Sequence, residues 1–232
     1  MTTRDNVSQE KYDIDFLRLH LGVRWNTVLL PFEQRKFTSL LPDVGYVLDE
    51  RVDQPLPFGA YPEASGTIAR KGTTSLTMDT STPVLALEAK TGQSLAEEFD
   101  IIEEALKHEL SFDSPEHASF YEIVAQALVW TKKDALAVFA SLGTAESIAS
   151  RFSEKIGIGP SANVTLRLVP ASGEVHSPDW WEFHIEPSFR SPQCYRVQIV
   201  YRDSERSKVI ELAENLEQII NNFIALLEEF NA

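Results

Sequence analysis

From Leu17 the chain alternates. Leu17, Leu19, Leu21, Val23 and Trp25 fall on one side of an extended backbone, and Arg18, His20 and Arg24 on the other. Period two over this length predicts a half-buried strand. Pro31 suits a first helical turn, and Phe32, Phe37, Leu40 and Leu41 give a short apolar face up to Pro42. Val44 to Val52 reads as a strand. Residues 53–65 hold three prolines, which forbid a regular ladder and predict a loop. Thr67 to Arg70 and Thr73 to Asp79 flank Lys71-Gly72, a hairpin turn in which glycine tolerates positive φ. Pro83 to Glu88 is a further apolar strand. Ser94 with Glu97 reads as a capping box, and Leu95, Phe99, Ile102, Leu106 and Leu110 recur at helical spacing.

Ser111 to Pro115 breaks the pattern, which then starts again. Residues 120–130 read as a strand ending at Trp130, as the first ends at Trp25. Asp134 caps a helix that Gly143-Thr144 interrupts, and Ile148, Phe152 and Ile156 continue its stripe to Gly157. Asn163 to Val169, Trp180 to Glu186 and Tyr195 to Arg202 read as strands. Lys208 to Phe230 reads as one long helix without Gly or Pro, its apolar positions at steps of three and four. The expectation is an α+β protein of two duplicated halves, 1–113 and 114–232. Each half runs strand, helix, three or four strands, helix, and together they form a mainly antiparallel curved sheet with helices on one face. In element order each half resembles one half of the TATA-binding protein fold. The resemblance spans nearly the whole chain, carries no shared motif and implies a fold alone.

Composition narrows the function classes. The chain has 232 residues, 43% of them hydrophobic, which is enough for a substantial core. Its net charge of −14 repels nucleic acid phosphates and anionic lipids, so neither DNA, RNA nor a membrane is the expected partner. The single cysteine, Cys194, excludes an internal disulfide and a cysteine-based zinc site, and it sits in a strand pattern. The N-terminus has no signal pattern and no apolar run approaches a membrane span, so the expected location is cytoplasmic.

The polar face of the sheet carries the candidate chemistry. In the first half it presents Arg18, His20 and Arg24, with Thr73, Ser75 and Thr77, a set able to receive an anion or an acidic peptide. In the second it presents Thr165, Arg167, Glu182, His184, Glu186, Arg196, Gln198 and Arg202. Glu182, His184 and Glu186 occupy alternate positions of one strand and point the same way. A histidine between carboxylates can bind a metal or relay protons, but steps of roughly 6.5–7 Å suit a metal poorly without ligands from neighbouring strands. The simpler reading is a wet face laced with cross-strand ion pairs. No phosphate loop, dinucleotide fingerprint, nucleophile elbow or zinc-protease motif occurs, and no cofactor is implied. The leading expectation is a non-enzymatic binding or adaptor protein. It holds a protein partner or small anionic ligand through Arg18, His20, Arg24, Glu182, His184, Arg196 and Arg202, with His184 supplying pH sensitivity. One rival is a metal-assisted hydrolase or transferase centred on Glu182, His184 and Glu186. The other is a homodimer packed through the last helix.

Overall fold

The computed structural model describes residues 12–27, 31–53, 65–79, 83–141, 165–171, 174 and 177–229. Nine strands are seen: β1 (Asp13–Trp25), β2 (Val47–Leu48), β3 (Ser65–Lys71), β4 (Thr74–Asp79), β5 (Val84–Glu88), β6 (Ala118–Trp130), β7 (Leu166–Leu168), β8 (Trp180–Pro187) and β9 (Cys194–Asp203). They form one sheet in the order β2-β3-β4-β5-β1-β6-β9-β8-β7, and every ladder is antiparallel. The longest strands, β1 and β6, lie side by side in the middle. Strands up to residue 88 fall on one side of that seam and those from 118 onward on the other.

The alternation of the central strands selects the buried face. Leu19, Leu21 and Val23 of β1 stand opposite Ala125, Ile123 and Tyr121 of β6, and all six are fully buried or nearly so. Ala127 and Val129 continue the row, and Val197 and Ile199 extend it onto β9. The apolar helix residues join these strands in one core. Helix α1 (Pro31–Leu40) supplies Phe37, and α3 (Gly92–Leu110) supplies Leu95, Phe99, Ile102 and Leu106, one stripe at helical spacing. Two short helices, α2 (Glu50–Asp53) and α4 (Ser114–His117), and α5 (Ala135–Ser141) fill the connections. Helices α6 (Arg206–Glu214) and α7 (Leu216–Glu229) close the covered layer with Val209, Leu216, Ile220, Ile224 and Leu227.

Several elements differ from the sequence reading. The single helix over 208–230 is two. At Asn215 the backbone leaves helical geometry, with φ of −101° and ψ of 8°, and the side-chain amide donates to the Glu211 carbonyl at 2.8 Å. Helix α3 starts earlier than the Ser94 capping box implies. Thr91 is its N-cap, its hydroxyl accepting from the Ser94 amide at 3.2 Å. Gly92 follows because α3 lies against α6: a Cβ there would stand 1.8 Å from the Ala213 carbonyl oxygen. The stretch Val44 to Val52 is not one strand. A 3₁₀ turn over Leu41–Val44 ends at Gly45 with φ of 88°, leaving two residues of β2 before α2. In β1, Leu17 leaves the buried row, because a bulge between Phe16 and Arg18 shifts the register against Ala127 and Gln126. Before the bulge, Tyr12, Ile14 and Phe16 face the core instead. Trp25 and Trp130 both end central strands but are not equivalent. Trp25 is buried and its indole N–H donates to Ser114 at 2.9 Å, whereas Trp130 is 39% exposed. The proline-rich loop and the continuation of the helix past Ser141 to Gly157 lie outside the described residues.

Candidate functional site: the polar sheet face

The residues between the buried ones make the opposite face, and the registers order them into rows. One row runs Ser75, Glu88, His20, Val124, Val200, Glu182. The next runs Thr77, Ala86, Gly22, Glu122, Arg202, Trp180. On the other side of the first lies Arg18, Gln126, Gln198, His184, Arg167. Arg24 is opposite Phe120, and Leu128, Arg196 and Glu186 make an outer row. All seven residues expected from sequence therefore share one face, but not one site. Strand β6 separates β1 from β9, a gap of about 10 Å, and β8 lies one strand further on.

Ion pairs run across the strands. Arg202 binds Glu122 through Nε at 3.0 Å and also through Nη2. Its guanidinium lies over the Phe120 ring, 4.5 Å from the centroid, and Arg24 approaches the same ring at 5.9 Å. Glu182 accepts from Arg167 at 2.8 Å. Glu186 lies 3.6 Å from Arg196 and 3.8 Å from His184. The same Nε2 of His184 meets the Thr165 hydroxyl at 2.7 Å. Both carboxylates flanking His184 thus face guanidinium groups. Among the described residues, no three His, Cys, Asp or Glu side chains converge closely enough for a metal ion.

The β1 side differs. Arg18 and Arg24 are exposed, and among the described residues neither has a carboxylate within ion-pair distance. His20, between them, is largely covered. Burial lowers its pKa, Arg18 lowers it further, and Glu122 and Glu88 oppose them. At neutral pH His20 is an uncharged imidazole, able to donate one hydrogen bond and accept another. Gly22 and Ala86 pair beside it without bulk, and a Cβ on Gly22 would stand 3.1 Å from that of Ala86.

Sequence reasoning missed Phe120, Glu122 and Glu88. The signal was present: the alternation that buries Tyr121 and Ile123 turns Phe120 and Glu122 to the polar side. Of the adjacent Trp180 and Trp181, Trp180 stands on the row of Arg202 yet is only 6% exposed, while Trp181 meets Phe183 edge to face at 6.1 Å. No protein-family model matches the sequence, and no curated protein is significantly similar to it. No described helix is long and apolar enough to cross a membrane.

Proposed function

We propose that the protein is a non-enzymatic binding or adaptor protein and that the β1 side of the polar face receives carboxylates of an acidic partner. The observation that carries this is the unequal pairing of the arginines. Arg202 and Arg167 are engaged by Glu122 and Glu182, whereas Arg18 and Arg24 are exposed and have no carboxylate among the described residues. In a chain of net charge −14, two uncompensated guanidiniums on one strand form a local exception. Arg24 would bind an acceptor while resting on Phe120, and neutral His20 would add a hydrogen bond. Two related halves, divided near residue 113, accompany the reading, with the TATA-binding protein likeness at the level of element order. The placement of β2 to β5 beside β1, and of β7 to β9 beside β6, supports such halves, while the unlike tryptophans count against strict equivalence.

A short polyglutamate peptide tests the reading. In an NMR titration its binding should move the amide signals of Arg18, His20 and Arg24, and the double variant Arg18→Glu, Arg24→Glu should lose the response. Shifts confined to the helical layer, or none at all, would defeat the proposal.

A further inference from the structure

Next to Arg18 on the same face, the turn of the β8–β9 hairpin makes a ridge with a groove on either side. Its tip, Pro187-Ser188-Phe189-Arg190, carries a phenylalanine whose side chain is wholly exposed. A groove of about 360 Å³ runs between this ridge and the sheet, with Leu17, Leu128, Glu186, Arg190 and Arg196 among its lining. The β1 bulge makes the groove apolar, because it is the bulge that turns Leu17 out of the core. Leu128, on the polar side by register, is 4% exposed at the groove. Across the ridge a second groove of about 170 Å³ is lined by Leu136, Pro192 and Asp134.

The charges choose the occupant. Glu186 lies 3.6 Å from Arg196, and Arg190 has no carboxylate within ion-pair distance among the described residues. Asp15 faces Leu128 in the ladder but does not line the groove. The lining therefore has a surplus positive charge beside apolar walls. A second copy joined through this patch by a two-fold axis would bring the same surplus positive charge into the interface twice, with no acid of the lining to balance it. The space is at the small end of ligand pockets, about the size of one or two large side chains. A wholly exposed phenylalanine with leucines on either side is a surface that a polypeptide covers.

We infer that this groove binds a protein segment that presents a large apolar side chain next to a carboxylate. The apolar group lies on Leu17 and Leu128 under Phe189, and the carboxylate meets Arg190 and the outer side of Arg196. The inference rests on the binding reading above and adds a second, chemically different contact beside Arg18 on the same face.

The test uses the N-acetylated dipeptide of leucine and phenylalanine with a free carboxylate, its C-terminal amide, and acetate, each titrated into the full chain by NMR. The free acid should shift the amides of Leu17, Leu128, Phe189 and Arg190, and bind roughly fivefold or more tightly than the amide. Arg190→Glu should abolish that preference, and Phe189→Ala should weaken acid and amide alike. Both positions are exposed, so neither variant challenges the fold. Equal binding of acid and amide, an equal response to acetate, or no saturable binding overturns the inference. Shifts at His20 and Arg24 instead of Leu128, Phe189 and Arg190 also overturn it, while leaving the acidic-partner reading standing. Loss of the polyglutamate response with the dipeptide response intact separates the two in the other direction.

Discussion

The two faces of the sheet treat carboxylates in opposite ways. On the covered side acids accept from tyrosine hydroxyls, Glu103 and Glu228 buried and Glu98 half-buried. Tyr121 of β6 donates to Glu103 of α3 at 3.3 Å, Tyr195 of β9 to Glu228 of α7 at 3.4 Å, and Tyr46 to Glu98 at 3.0 Å. Glu228 also accepts from Tyr12 at 3.2 Å and from Thr131, and Arg206 joins Glu103 to Asp100. Among the described residues no buried side-chain polar atom lacks a partner. On the other side Glu122, Glu182 and Glu186 lie in reach of water and pair with arginines across the strands. The contrast separates polar groups that fix helices to the sheet from polar groups left free to meet something else. A buried carboxylate must keep its partners, because leaving one unsatisfied costs its whole desolvation. An exposed arginine pair is nearly neutral for stability, so its placement can answer to binding.

The contrast breaks if truncations on the two sides cost the same. The largest expected loss comes from Phe99→Ala. Phe99 is fully buried in α3, meets Tyr121 edge to face at 6.0 Å and lies under Arg206. Removing the ring leaves a cavity at the helix–sheet seam and should cost about 3–5 kcal/mol, measured by urea unfolding. A cost near zero would mean that α3 is not the lid this packing describes.

A smaller effect sharpens the comparison on the covered side. Burial raises the pKa of Tyr121, Tyr195 and Tyr46, and the neighbouring carboxylate raises each further. Burial, and then Asp203, push Tyr201 up to about 12. A raised folded pKa means that these phenols contribute their full stability below the ordinary tyrosine pKa near 10, and that it is lost as pH climbs through the folded values. Absorbance at 295 nm should therefore show four of the six tyrosines ionising late, together with alkaline unfolding. Glu103→Gln should cost about 1–2 kcal/mol, because Arg206 loses a charge-assisted bond. It should also let Tyr121 ionise at lower pH than in the parent, still above the ordinary range because burial remains the larger cause. Ordinary titration of all six tyrosines would contradict the latch geometry.

What was legible in the sequence follows the same division. The period-two run of β1 put Leu19, Leu21 and Val23 on the buried side, since one buried face fixes register over many residues. The stripe of α3 was legible for the same reason. Three features were not. The bulge at Leu17 has no local signature, because Phe16 and Leu17 satisfy either phase. The break at Asn215 has no local signature either, since Asn221 makes the same amide-to-carbonyl bond to Glu217 and α7 runs on unbroken. The short β2 between a 3₁₀ turn and α2 depends on Gly45 adopting φ of 88°, which its sequence permits but does not demand. Of the candidate site, strand parity was enough to put Arg18, His20, Arg24, Glu182, His184, Arg196 and Arg202 on one face. Which arginines are neutralised depends on cross-strand partners such as Glu122, and a single strand's pattern contains no information about its neighbours.

The smallest expected effect is the most direct probe of the polar side. Arg18→Ala with Arg24→Ala removes two side chains that meet no described carboxylate, so the melting temperature should move by less than about 2 °C. The electrostatics should still respond, and in a set direction. Arg18 is one of the causes that lower the His20 pKa, second to burial, so its removal should raise the value. Histidine ring signals followed by NMR report the shift. Because the folded-state value is lowered, His20 contributes stability that is complete above pH about 6.5 and lost as pH falls through its folded value. The variant should lose less stability than the parent between neutral and mildly acid pH. An unmoved His20 signal would place Arg18 too far away to matter. A large drop in melting temperature would mean that these arginines hold the fold together, as Arg206 does on the other side, and are not held in reserve for a partner.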